Sequence, residues 1–102
     1  MNLNNKYPLK FGVLYVLAKE NGDLTVEQIY DMLKPAFGGE KAFTKKNVRF
    51  HLDSMVGIDM VRMTNEYIGD NGKLVASFVI TPFGMERTAM LPEEYRADIL
   101  RG

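Results

Sequence analysis

The sequence predicts an α+β domain: three helices, a β-hairpin and a helical tail. Three observations carry that expectation. Residues 43–62 (FTKKNVRFHLDSMVGIDMVR) read as a helix with a defined start that leads directly into a strand. Residues 60–68 and 73–80 are β-favouring segments on either side of Asn71-Gly72. That dipeptide is a strong hairpin signal, because both positions of a two-residue turn need positive φ. Residues 9–33 hold two apolar-periodic segments divided by a polar turn with Asn21-Gly22.

In chain order, residues 1–7 are polar and expected to be loose. Pro8 suits the first turn of a helix over residues 9–20, where its missing N–H costs nothing. Val13, Leu14 and Leu17 make a core stripe, and Phe11, Tyr15, Val16 and Ala18 extend the apolar character almost all round. Such a helix needs cover on two sides, from the C-terminal tail or from a second subunit. Asn21-Gly22 stops it. Thr25-x-x-Gln28 is a capping box for the second helix, with Leu24 and Ile29 as its staple. Val26, Ile29 and Leu33 face inward, Tyr30 flanks them, and Pro35 is expected to end the helix. The connection over 34–43 holds Gly38 and Gly39.

Thr44 is the N-cap of the third helix, and Phe43 and Val48 form a hydrophobic staple. Val48, Leu52, Met55 and Val56 recur at helical spacing and are expected in the core. Lys46, Asn47, Phe50, Asp53 and Ser54 point away from it, with Arg49 at the boundary. After the hairpin, with a bulge expected at Gly69-Asp70, Thr81-Pro82 starts another helix, where Gly84 permits close packing. Pro92 breaks the chain, and residues 93–100 make a last helix with Tyr95, Ile99 and Leu100 along one apolar edge. The domain thus spans residues 8–91, followed by a tail at 92–102.

The residues Val48, His51-Leu52, Met55 and Asp59-Met60-Val61 resemble the recognition helix and following strand of winged helix-turn-helix transcriptional regulators, the ArsR-like and PadR-like groups. Asp59 stands where that family usually has glycine, at a site that needs the left-handed conformation, which Asp tolerates better than most residues. The segments LTVEQI and ITPFG resemble the start of the second helix and the exit from the hairpin in the same family. The resemblance implies an α-α-α-β-β-α winged helix that binds double-stranded DNA sequence-specifically, with the third helix in the major groove and the hairpin on the flanking backbone. Lys45 and Lys46 would neutralise phosphates, with Thr44 and Lys73 beside them, while Asn47, Arg49 and Phe50 would meet base edges. One small module reads little sequence, so a homodimer is implied. Phe11, Tyr15, Tyr95 and Ile99 are its expected contacts.

Composition sets the other bounds. The chain of 102 residues has zero formal net charge and no cysteine. It therefore offers no thiolate metal site, disulfide or cysteine nucleophile. Neutrality argues against a protein that coats nucleic acid non-specifically, but Lys45, Lys46 and Arg49 all precede the first acid of their segment, so the local field is positive. No apolar run is long enough for a membrane span, the N-terminus lacks signal-peptide order, and a cytoplasmic location fits. His51 is the only histidine and has no ligating partners, so it is read as a packing residue. Gly38-Gly39-Glu40-Lys41 lacks phosphate-loop spacing, and Ser54 and Ser77 have no evident base. The expectation is a non-enzyme without a cofactor. A second reading, a protein-binding winged-helix adaptor or anti-repressor, draws on the neutral charge and the outward Phe50. An acidic break at Glu66 or Asp70 would favour it.

Overall fold

A computed structural model of the chain describes residues 3–101. The parts of the expected loose N-terminus and tail at residues 1–2 and 102 lie outside the described residues. The domain is α+β, with five helices and a three-stranded antiparallel sheet.

Helix α1 (Leu9–Glu20) is the central element: Gly12 to Ala18 are all buried. Asn21 stops it in the left-handed region at φ 50°, its N–H donating to Leu17 O at 2.9 Å. The two-residue strand β1 (Leu24–Thr25) follows, then α2 (Val26–Phe37). The expected capping box is formed: Thr25 Oγ1 accepts from Gln28 N at 3.1 Å, and Gln28 Oε1 accepts from Thr25 N at 2.8 Å. Pro35 does not end α2, which runs two residues further. In the last turn the ring removes one backbone bond without displacing the next residues, and continuing the helix buries Phe37 to 1 % exposure.

Helix α3 (Lys45–Gly57) leads to the strand β2 (Val61–Ile68), which pairs antiparallel with β3 (Leu74–Ile80) from Val61↔Ile80 to Ile68↔Leu74. Asp59 adopts φ 64°, the conformation in which the resembled family uses glycine. Sheet order is β1-β3-β2. The pairing of Leu24 with Phe78 and Thr25 with Ser77 was not expected, since two residues carry no alternation to read.

The hairpin turn differs from the expected one. Only Gly72 has positive φ, at 77°, and Asn71 does not. Gly72 N donates to Gly69 O and Gly69 N to Lys73 O, the pattern of a three-residue loop with glycine in the left-handed position. Asn71 contributes by its side chain, whose Oδ1 accepts from Lys73 N at 3.0 Å. The register shift lies between Met63 and Asn65, where Thr64 and Ser77 hydroxyls meet at 3.0 Å.

Thr81 caps α4 (Pro82–Arg87) by accepting from Gly84 N. A Cβ on Gly84 would stand 2.1 Å from Met60 O, so this glycine lets α4 lie directly on the chain entering β2. A 3₁₀ turn (Thr88–Met90) and α5 (Glu93–Arg101) complete the chain.

Helix α5 covers the second face of α1. Tyr95 stacks on Tyr15 with ring centroids 4.5 Å apart, and both side chains are fully buried. Tyr15 OH donates to the Asp98 carboxylate, which also meets Arg101 Nη2 at 3.1 Å and Lys19 Nζ at 3.6 Å. The expectation that Tyr15 and Tyr95 form a dimer contact is therefore corrected: the chain's own tail uses them. Residues 3–7 are anchored on the same layer. Tyr95 OH donates to Asn4 O, Asn4 Nδ2 donates to Glu94, and the Tyr7 ring meets Tyr95 edge-on. Asn4 and then Tyr7 hold the Glu94 carboxyl below its usual range.

Candidate nucleic-acid interface

The start of α3 is fixed from both sides. Thr44 Oγ1 accepts from Asn47 N at 3.0 Å. Phe43 is buried and stacks on Tyr30 at 4.4 Å, nearly parallel, so the turn before the helix is pinned to α2. Val48, Leu52 and Met55 enter the core. Val56, expected with them, is instead 36 % exposed.

This anchoring turns the polar face of α3 toward the hairpin. Between them lies an open groove of about 350 Å³ whose walls include Lys45, Lys46, Arg49 and Lys73. Glu27 is the one carboxylate among its lining residues. Four cations thus converge although the chain as a whole is neutral. Leu74, Val75 and Ala76 give the groove an apolar side.

The individual side chains are not equally available. Lys46 is exposed and takes part in no ion pair among the described residues. Lys45 Nζ meets Glu27 at 2.7 Å, which raises the lysine above its usual range. Asn47 Nδ2 donates to Ala42 O at 2.6 Å, so this expected base reader serves first as part of the helix start. Arg49 Nε donates to Asp53 at 2.9 Å, and its Nη2 lies 3.9 Å from Glu66 on β2. The same guanidinium sits 5.3 Å from the centroid of the buried Phe78 ring, closing the core edge. Phe50 is 64 % exposed, as the wheel requires.

No family model matches the sequence, and no curated protein matches it. The weight therefore falls on geometry. Thr44, Lys45, Lys46, Asn47, Arg49 and Phe50 share the first two turns of α3, and Lys73 faces them across the groove. Phe11 and Ile99, expected at a dimer contact, are half-buried against the core and do not line the groove.

Sequence reasoning missed two features. One is the pairing of Glu66, expected as an acidic break near the hairpin, with Arg49 at 3.9 Å; that contact depends on how β2 lies beside α3, which no local pattern carries. The other is the apolar hairpin tip, where Ile68 and Leu74 pair while 66 % and 58 % exposed. Among the described residues no cluster of three or more His, Cys, Asp or Glu is placed to hold a metal ion. No helix among them is long and apolar enough to cross a membrane. Burial pushes the His51 imidazole down, with the Lys10 charge second, in keeping with a partly packed ring.

Proposed function

We propose that this chain is a winged helix-turn-helix domain that binds double-stranded DNA sequence-specifically, as a small cytoplasmic transcriptional regulator. The convergence of Lys45, Lys46, Arg49 and Lys73 in one groove carries the reading. Such a groove takes a phosphate backbone while the face of α3 beside it enters the major groove. Lys46 contacts phosphate, and Phe50 packs on a thymine methyl.

Magnitudes decide whether the paired cations can take part. The Lys45–Glu27 and Arg49–Asp53 pairs are solvent-exposed. Exposed pairs contribute about 0.2–1 kcal/mol. A bidentate arginine–guanine contact contributes about 1–3 kcal/mol of discrimination. Releasing both Asp53 and Glu66 costs Arg49 about 0.4–2 kcal/mol on that scale, which a guanine partner of about 1–3 kcal/mol is able to offset.

A homodimer belongs to this proposal, because one module spans few base pairs. Leu100, 87 % exposed, and Ile99 beside it supply apolar surface for it on α5.

The second reading, a protein-binding adaptor, is favoured by one observation: Glu66 breaks the positive path from α3 to the hairpin tip at Arg49. Selection from a random duplex pool separates the two. Enrichment of one motif, lost in Phe50→Ala and Arg49→Ala, supports DNA. No enrichment, with Phe50→Ala abolishing capture of a specific protein, supports the adaptor.

A further inference from the structure

Arg49 differs from the lysines of the groove in being held from two directions. Its Nε donates to Asp53 Oδ1 at 2.9 Å, one turn further along α3. Its guanidinium carbon lies 5.3 Å from the centroid of the Phe78 ring, which is fully buried. A ring face attracts the cation without supplying an acceptor. The other donors of the fork are on Nη1 and Nη2. Glu66 Oε2 stands 3.9 Å from Nη2, an ion-pair separation beyond hydrogen-bond length. Among the described residues no acceptor lies within hydrogen-bond distance of Nη1 or Nη2. A side chain that is 34 % exposed therefore keeps its outer fork open on the groove wall.

As a charge, Asp53 opposes DNA. As an acceptor, it orders a long side chain before any ligand arrives, so less freedom is lost on binding. A fork held in one plane suits two acceptors side by side, such as O6 and N7 of guanine. Phosphate makes no such demand on the plane, since a lysine serves it as a point charge. Lys46 is in no ion pair among the described residues and is free for that contact.

We infer that Asp53 is a positioning residue for Arg49 and makes α3 selective for a guanine. The inference rests on the DNA reading. The bond to Asp53 uses Nε alone, so a guanine displaces Glu66 and leaves Asp53 in place.

The test starts from the duplex that the native chain enriches from a random pool. Native, Asp53→Ala and Asp53→Asn chains are titrated with it, with copies in which each guanine in turn is 7-deazaguanine, and with random duplex. The native chain should lose about tenfold in affinity at one substituted guanine, where the N7 acceptor is gone. Asp53→Ala should lose most of that sensitivity and bind random duplex more tightly, since an anion is removed and the guanidinium is freed for phosphate. Asp53→Asn removes the same charge but keeps an oxygen for Nε, so it should retain the native sensitivity. Arg49→Lys should show none. In the free chain, proton exchange at Arg49 Nε should be slow in the native protein and Asp53→Asn, and fast in Asp53→Ala. Loss of sensitivity in the Asn and Ala variants alike, its retention in both, or native binding indifferent to every 7-deazaguanine overturns the inference and leaves the DNA reading standing. A pool with no enriched duplex overturns both.

Discussion

Gly84 and Asp98 show what single residues contribute here. A side chain on Gly84 meets the Met60 carbonyl, and backbone cannot rotate aside. Gly84→Ala should destabilise the domain by about 1–3 kcal/mol or more, read from the denaturant midpoint. The need for a small residue there was legible in ITPFG; the atom it meets was not, because it belongs to a segment 24 positions away in sequence. Asp98 was not legible at all. In sequence it is one more acid of a solvated tail, yet Tyr15 OH, with Arg101 and Lys19, holds its carboxyl below the usual range against the opposing effect of desolvation. A carboxyl whose folded pKa is depressed adds stability above its unfolded value, about 3.9, and loses it as pH falls through the folded value. The stability difference between the native chain and Asp98→Asn should therefore be full at neutral pH and shrink below about pH 4. A difference independent of pH would show that the carboxylate charge is not what binds α5 to α1.

At the scale of elements, local chemistry was readable and tertiary pairing was not. The boundaries of α1, the capping box of α2 and the Thr44 cap of α3 depend on residues within four positions of one another, and the structure forms all three. Strand β1 depends on Phe78 and Ser77, far along the chain, so no local pattern announces it. The hairpin was placed correctly but given the wrong turn, since Asn-Gly fits both a two-residue loop and the third position of a longer one. The two differ in which residue is strained. With only Gly72 in the left-handed region, Gly72→Ala should cost about 1–2 kcal/mol, whereas Asn71→Ala should lose only its bond to Lys73 N. Thermal melts of the two variants check this; equal losses would point back to the two-residue turn.

For the whole molecule, the sequence left open what covers the second face of α1, and the structure answers with α5. The surplus apolar character of α1 was a true signal, but burial within the chain and burial between chains look alike in a sequence. The proposed dimer then depends on Leu100. Leu100→Glu should shift sedimentation from dimer to monomer at tens of micromolar and remove any concentration dependence of the unfolding midpoint, while leaving the monomer's own stability unchanged, since the side chain is outside the core. An unchanged mass would remove Leu100 from any contact. The candidate DNA interface was legible as a face of α3, because helix periodicity fixes which residues share a side. Its ion pairs with Glu27 and Glu66 were not, since they come from other elements. The claim that this groove carries DNA is tested most directly by the salt dependence of duplex binding, measured for the native chain and for Lys46→Ala. Each phosphate contact releases counterions, so log K should fall linearly with log salt, and removing the Lys46 contact should flatten the slope by about 1. Identical slopes for the two proteins, or no duplex binding at low salt, would contradict it.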